Sequence, residues 1–236
     1  MSLLRFYKND NFEFMELNKY IDHTLLKATA TKNDIIKLCN EAKTHNFFSV
    51  CVNSCYVSLA KAELKNTDIK ICSVIGFPLG AMSTNAKVQE TKQAMKDGAD
   101  EIDMVLNIGF LKSKDFDAVW KDIEAVKNEM PNNTLKVILE TCYLDKDEIL
   151  KASELTIKAG ANFIKTSTGF GTGGATLNDV KLMKSVIGKS GTKIKASGGI
   201  RDTKTALEYI NIGVERIGTS NGIAIVTGSP SEEKNY

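Results

Sequence analysis

Eight short apolar runs, each followed by a helical pattern, constrain this chain more than any single residue does. The runs fall near 21–26, 47–52, 69–75, 101–107, 135–140, 162–166, 193–197 and 215–219. The segments between them have the length of crossover helices, which strands running the same way require because no tight turn can join them. The clearest helix spans 114–130, where Phe116, Val119, Trp120, Ile123 and Val126 recur at spacings of three and four and stop before Pro131. Asp145 with Glu148 reads as a capping box ahead of Ile149, and Gly160 as the end of that helix. Thr176 with Asp179 opens the next, and Gly188 follows its last apolar residue, Ile187. Eight strand–helix units in a little over 200 residues fit an α/β chain folded as a single closed (β/α)8 TIM barrel. Alternation alone does not prove closure, so a doubly wound open sheet is the rival. No Gly-x-Gly-x-x-Gly turn follows the first strand, which favours the barrel. The expected division is an extension or expression remnant over 1–14, the barrel over 15–228 and a polar tail over 229–236.

Size and charge narrow the function. A chain of 236 residues can bury roughly 70–75% of its unfolded surface as one large domain. The 31 basic residues against 29 acidic ones give no support for nucleic acid or an anionic membrane as partner. No apolar run approaches the ~20 residues that span a bilayer, and residues 1–15 are charged throughout, without a signal-peptide core. The five cysteines, Cys39, Cys51, Cys55, Cys72 and Cys142, are scattered and odd in number, as free thiols of a cytoplasmic protein would be. Cys51 and Cys55 have no second cluster, and His23 and His45 are the only histidines, so no zinc site is expected.

Three helix-to-strand junctions look alike: Gly98-Ala99-Asp100-Glu101-Ile102-Asp103, Gly160-Ala161-Asn162-Phe163-Ile164-Lys165 and Gly213-Val214-Glu215-Arg216-Ile217-Gly218. Asn46-Phe47-Phe48-Ser49-Val50-Cys51 lies on the same frame, and Ile194-Lys195 repeats its final pair with a link one residue shorter. Equivalent positions on barrel strands point the same way, because side chains alternate with period two. Cys51, Asp103, Lys165 and Lys195 therefore sit at similar heights and face inward. Facing outward, the three charged residues would be buried under helices at high cost. On register alone, an ion-pair plug of Asp103 with two lysines fits as well as catalysis does.

Small residues after three late strands tip that balance. Thr168 and Gly169 follow the sixth strand, Ser197, Gly198 and Gly199 the seventh, and Thr219, Ser220, Asn221 and Gly222 the eighth. Glycines let backbone N–H groups approach an anion, and barrels commonly hold phosphate at the loops after strands seven and eight. Arg201 adds a charge nearby, although Asp202 beside it fits a plain helix entry equally well.

Glu101-Ile102-Asp103-Met104-Val105, Phe163-Ile164-Lys165-Thr166-Ser167-Thr168-Gly169 and Lys195-Ala196-Ser197-Gly198-Gly199-Ile200-Arg201 resemble the motifs of the 2-deoxyribose-5-phosphate aldolase family. Tyr20-Ile21-Asp22-His23-Thr24-Leu25-Leu26-Lys27 and Ser73-Val74-Ile75-Gly76-Phe77-Pro78-Leu79-Gly80 fit as well, so the resemblance runs from about Tyr20 to Gly228. It implies a class I, Schiff-base aldolase with no metal or organic cofactor. The reaction would be reversible cleavage of 2-deoxy-D-ribose 5-phosphate to D-glyceraldehyde 3-phosphate and acetaldehyde. By the same resemblance Lys165 is the Schiff-base lysine, Asp103 and Lys195 handle protons, and Asp22 and Cys51 lie near substrate. Thr168, Gly169, Gly198, Gly199, Gly218, Ser220 and Asn221 match the substrate- and phosphate-binding positions. The partners implied are a phosphorylated sugar and aldehydes, with a homodimer or homotetramer as assembly. Two departures stand out. Phe170 occupies a position where some members carry lysine, which shifts phosphate binding onto backbone and Ser220. Some members also end in a tyrosine that enters the site for proton transfer; Tyr236 is last here, behind a polar stretch that reads first as a loose tail.

An unperturbed lysine, with a pKa near ~10.4, is neutral in only about one molecule per thousand at pH 7.4, and only the neutral amine attacks a carbonyl. Lowering that value to about 7 disfavours the charged form by roughly 4–5 kcal/mol, which a second ammonium and partial desolvation can supply. Charge alone does not say whether Lys165 or Lys195 is the nucleophile. Alternatives to the expected aldolase are a Schiff-base aldolase for another phosphorylated sugar, a sugar-phosphate-binding barrel without catalysis, and a barrel synthase sharing only the phosphate loops.

Overall fold

Four helix-to-strand junctions close in the same way. The computed structural model describes residues 4–8 and 11–230. In it Asn46, Gly98, Gly160 and Gly213 are all left-handed, with φ of 51°, 106°, 77° and 97°. At each, the next residue's N–H returns to a carbonyl five residues back: Phe47 to Ala42, Ala99 to Ala94, Ala161 to Thr156 and Val214 to Tyr209. That bond satisfies a carbonyl the last helical turn leaves free. Glycine takes this conformation without strain, and asparagine tolerates it better than most residues. One repeated exit geometry is why residues three and five positions beyond each stop face the same side.

The strands β1 (Ile21–Leu25), β2 (Ser49–Asn53), β3 (Lys70–Ile75), β4 (Glu101–Val105), β5 (Thr134–Ile138), β6 (Phe163–Lys165), β7 (Lys193–Ser197) and β8 (Arg216–Thr219) pair in chain order. All pairs are parallel, and β8 closes on β1. The protein is a single closed (β/α)8 barrel, and the open-sheet rival falls. Around it run α1 (Lys32–His45), α2 (Val57–Glu63), α3 (Thr84–Asp97), α4 (Phe116–Asn128), α5 (Lys146–Lys158), α6 (Leu177–Ile187), α7 (Thr203–Asn211) and α8 (Gly222–Thr227). The expected caps are in place. Asp145 and Glu148 cap reciprocally, Thr176 accepts from the Asp179 amide, and Asp115 accepts from Ala118 one residue inside the expected start of α4. Val119, Ile123 and Val126 are buried as the stripe requires, while half-buried Trp120 carries the Lys158 ammonium 3.7 Å above its ring. The same helix buries Asp122 against Lys87, 2.6 Å away, which the stripe did not announce.

Alternation along the strands sorts the barrel into two environments. Ile21, Val50, Ile71, Ile102, Leu135, Ile164, Ile194 and Ile217 belong to the main apolar core, where strands meet helices. Burying each such side chain contributes about 1.5–3 kcal/mol, and the sum offsets the desolvation of a charged interior. Their immediate neighbours on the opposite face, Asp22, Ser49, Cys72, Asp103, Lys136, Lys165, Lys195 and Arg216, are buried as well, and all but Cys72 are polar. A small apolar cluster of Leu26, Cys51, Cys72 and Val74, with Phe77 against it, stands apart from the main core.

The stretch read as an extension contains two strands. Leu4–Lys8 pairs antiparallel with Asn11–Met15, as a two-stranded sheet separate from the barrel. Tyr236 and most of the expected tail lie outside the described residues. No helix among the described residues is long and apolar enough to cross a membrane.

Candidate active site

Period-two alternation and the shared helix stop bring Asp103, Lys165 and Lys195 together inside the barrel. Lys165 and Lys195 are register partners on β6 and β7, and both ammoniums lie 2.7 Å from the same oxygen, Asp103 Oδ2. Asp103 Oδ1 accepts from Lys136 Nζ at 2.8 Å and from Cys72 Sγ at 3.1 Å. Asp103 is fully buried. Burial alone would raise its carboxyl, but Lys136, Lys165 and Lys195 together hold it well below the usual carboxylate range.

The cluster is larger than the sequence reading made it. Lys136 Nζ also meets Glu101 Oε2 at 2.6 Å. Arg216 pairs with Asp22 and, at 2.9 Å, with Glu101, and its guanidinium stacks 3.5 Å from the Phe48 ring. Lys195 reaches Asp22 Oδ2 at 2.5 Å, and Ser49 Oγ donates to Asp22 Oδ1 at 2.7 Å. Lys136, Glu101 and Arg216 were missed, although the repeated frame held two of them. Three positions after Gly98 and Gly213 stand Glu101 and Arg216, opposite charges of equal parity one layer below Asp103. Lys136 showed itself as a lone charge in Leu135-Lys136-Val137-Ile138, on a strand without the glycine stop.

Four cations, Lys136, Lys165, Lys195 and Arg216, thus face three carboxylates, Asp22, Glu101 and Asp103. Their positions are not equivalent. Burial works against the charge on Lys195, yet Asp103 and Asp22 raise it well above an ordinary lysine. Lys136 is likewise buried and likewise raised, by Asp103, Cys72 and Glu101. Burial would raise Asp22, but Arg216 and Lys195 keep it ionised far below its ordinary range. Lys165 alone among the four has a single carboxylate contact, an oxygen it shares with Lys195. It is also the last residue of β6, directly before the loop that follows.

Cys51 is buried and faces the cluster. Its sulfur, the Cys72 sulfur and an Asp103 oxygen lie within 4.8 Å of one another. Those are donors for a soft metal, but three ammoniums already occupy the Asp103 oxygens, so a cation there would have to displace them. Cys55, by contrast, is exposed and makes no pair with Cys51.

The three late loops adjoin one another at the strand ends. Ser197 Oγ donates to the Ser167 carbonyl at 2.6 Å, and the Ala175 amide donates to the Ser197 and Gly198 carbonyls, each at 3.1 Å. A Cβ on Gly174 would fall 2.4 Å from the Gly198 oxygen, so that approach needs glycine. Gly169, Gly198 and Gly199 have φ of 89°, 86° and 82°. Among the described residues, the amides of Gly169, Gly198, Gly199 and Ser220 donate to no protein acceptor. Four free N–H groups on three adjacent loops form a cradle suited to an anion.

Other residues expected at that cradle are engaged elsewhere. Thr168 gives its amide to Glu140 Oε1 at 3.1 Å and its hydroxyl to Glu140 Oε2. The Asn221 amide donates to Thr219 Oγ1 at 2.9 Å. Gly218 leaves room for Lys195, since a Cβ there would lie 3.0 Å from Lys195 Cε. Phe170 is exposed and meets Phe77 edge-on at 5.3 Å, giving this side of the mouth an aromatic rim.

The model of the DeoC/LacD family aldolases matches residues 17–226. The chain is 58% identical to a deoxyribose-phosphate aldolase of Finegoldia magna over 214 residues, covering 91% of this chain and all of that one. It is 57% identical to a deoxyribose-phosphate aldolase of Thermococcus kodakarensis over 221 residues, covering 92% and 98%. The fold superimposes on the tetrameric deoxyribose phosphate aldolase from Aeropyrum pernix with a TM-score of 0.83, at 32% identity and 90% coverage of both chains.

Proposed function

This chain belongs to the DeoC/LacD family of aldolases, and on that premise we propose that it is a deoxyribose-phosphate aldolase working through an imine on Lys165. The reaction is the reversible cleavage of 2-deoxy-D-ribose 5-phosphate to D-glyceraldehyde 3-phosphate and acetaldehyde. One observation carries the choice of residue: Lys195 and Lys136 each touch two carboxylates, whereas Lys165 has half of one. With four cations facing three carboxylates, loss of one proton leaves the cluster electrically balanced. The amine with the fewest carboxylate contacts is the one we assign to attack the carbonyl. The number of carboxylate contacts supports Lys165 over Lys195, two lysines that charge alone left interchangeable.

In the cleavage direction the neutral Lys165 Nζ adds to the open-chain aldehyde carbon, and loss of water gives an iminium. A base takes the proton from the C3 hydroxyl, the C2–C3 bond breaks, and its electron pair moves into the iminium to leave an enamine. Glyceraldehyde 3-phosphate departs, the enamine carbon takes a proton, and water releases acetaldehyde and the free amine. We assign these proton transfers to Asp103 and Lys195, both within hydrogen-bond reach of Lys165 or its partner oxygen, with water as relay. The free amides of Gly169, Gly198 and Gly199 and the Ser220 amide and hydroxyl suit the phosphate, in keeping with the missing lysine at Phe170. Tyr236 stays a proposal from family resemblance alone.

Borohydride reduction with acetaldehyde, followed by peptide mass spectrometry, tests the assignment. The adduct is expected on Lys165; an adduct on Lys195, or none, overturns it. A coupled assay of acetaldehyde release from deoxyribose 5-phosphate separates this substrate from other phosphorylated sugars.

A further inference from the structure

Glu140 follows β5 and is 2% exposed, yet among the described residues no basic side chain pairs with it. Among the described residues it is one of four non-glycine residues with a left-handed backbone, at φ 55°. The flanking backbone is fixed on both sides, since Leu139 donates to the Lys165 carbonyl at 2.9 Å and Thr141 to the Thr166 carbonyl at 3.1 Å. The turn therefore sends the Glu140 side chain beneath the loop that follows Lys165. There its two oxygens take both donors of Thr168, and Thr168 Oγ1 accepts from the Phe170 amide at 3.0 Å. The loop is wrapped closely enough that a Cβ on Gly171 would lie 3.1 Å from Glu140 Cδ. Amides 168 and 170 are thus committed inward, and the amide between them, at Gly169, is left free.

We infer that Glu140 is the positioning residue of the phosphate end of the site: it clamps Thr168 so that the Gly169 amide faces the substrate's phosphate. The inference rests on the proposed function and assigns the clamp, not the cradle. A carboxylate under an anion-binding loop gives no electrostatic advantage to an anionic ligand, so its contribution is geometric. Only a carboxylate serves both donors. Glutamine keeps an acceptor for the Thr168 amide but presents an NH2 group where the Thr168 hydroxyl needs an acceptor, leaving that hydroxyl's proton unpaired.

The test compares deoxyribose 5-phosphate with unphosphorylated 2-deoxyribose, which has the same scissile bond. Glu140→Gln is expected to raise KM for the phosphate ester by roughly tenfold or more, the worth of one lost charge-assisted bond. The kcat for the ester and the kcat/KM for 2-deoxyribose should stay within about threefold. Thr168→Val, which removes only the hydroxyl arm and serves if Glu140→Gln does not fold, should act in the same direction. Thr168→Ser, which keeps both donors, should restore the wild-type KM. Equal losses on both substrates, or an unchanged KM for the ester, overturn the inference. A wild-type protein that turns over neither substrate instead removes the functional reading beneath it.

Discussion

Lys136→Met is the sharpest perturbation of the buried cluster, because it deletes a charge while nearly preserving volume. Lys136 is fully buried and spans Glu101 at 2.6 Å and Asp103 at 2.8 Å. Removing it leaves two carboxylates each short of a partner, and breaking a buried pair from one side typically costs about 3–5 kcal/mol. Set against a total stability of about 5–15 kcal/mol, that is a large fraction, equivalent to a fall in Tm of roughly 6–20 °C for a chain of this size. Asp103→Asn alone should cost a similar amount, since the amide nitrogen would confront ammonium groups that the carboxylate now receives. The double variant removes one cation and one anion, and three cations then face two carboxylates with the original net charge. Its loss should fall short of the sum of the single losses by about 1–3 kcal/mol, the range for groups sharing one network. Urea unfolding of the four proteins, with m unchanged across them, gives the coupling directly. Additivity within about 0.5 kcal/mol would refute the view that these charges act as one network.

Asp103→Asn should still yield a borohydride-trapped adduct on Lys165 while losing most turnover, because removing a carboxylate from the cluster favours a neutral amine but deletes the proton relay; loss of trapping together with turnover would contradict this. The depressed carboxyls of Asp22 and Asp103 bind fewer protons folded than unfolded, so their stabilisation is complete above the unfolded value of about 4 and declines as pH falls below it. The raised Lys136, Lys195 and Cys72 groups act oppositely: their stabilisation is complete below about pH 8.5 for the thiol and about 10.4 for the amines, and declines above those values. Urea midpoints across pH should form a plateau between those limits, and a midpoint still rising from pH 5 to 8 would exclude this. Gly218→Ala places a methyl 3.0 Å from Lys195 Cε and from Ser197 Cβ; it should cost about 1–3 kcal/mol and slow phosphorylated and unphosphorylated substrates alike. A loss confined to the phosphate ester would return Gly218 to the phosphate cradle.

The fold was legible because its signals are local and repeated. The Gly98, Gly160 and Gly213 stops, the Asp145–Glu148 box and the stripe of α4 each announce themselves within a few residues, and eight repetitions fix the class. Closure of β8 onto β1 was not legible, since pairing across distance leaves no local mark. At the site, Asp103, Lys165 and Lys195 stood out as charges in apolar strands on one frame. Glu101 and Arg216 lay on that frame but read as ordinary strand entries, because a charge at the start of a strand is usually solvated. Glu140 was hidden differently: its role depends on a left-handed turn that nothing in Leu139-Glu140-Thr141 demands.

On the proposed function, the plug and the reaction centre, posed as alternatives by the sequence, are one object. A network holding only matched pairs would fix every proton and leave no amine to react. One with an unshared surplus cation would be unstable in a dry interior. This barrel stands between those limits: Arg216, Lys136 and Lys195 are each doubly anchored, while Lys165 has one carboxylate oxygen and shares it. The same carboxylate that keeps the interior folded therefore decides which amine is loosely held. Strengthening the hold on Lys165 with a second carboxylate should stabilise the barrel and silence the enzyme together, a coupling that separate structural and catalytic roles would not produce.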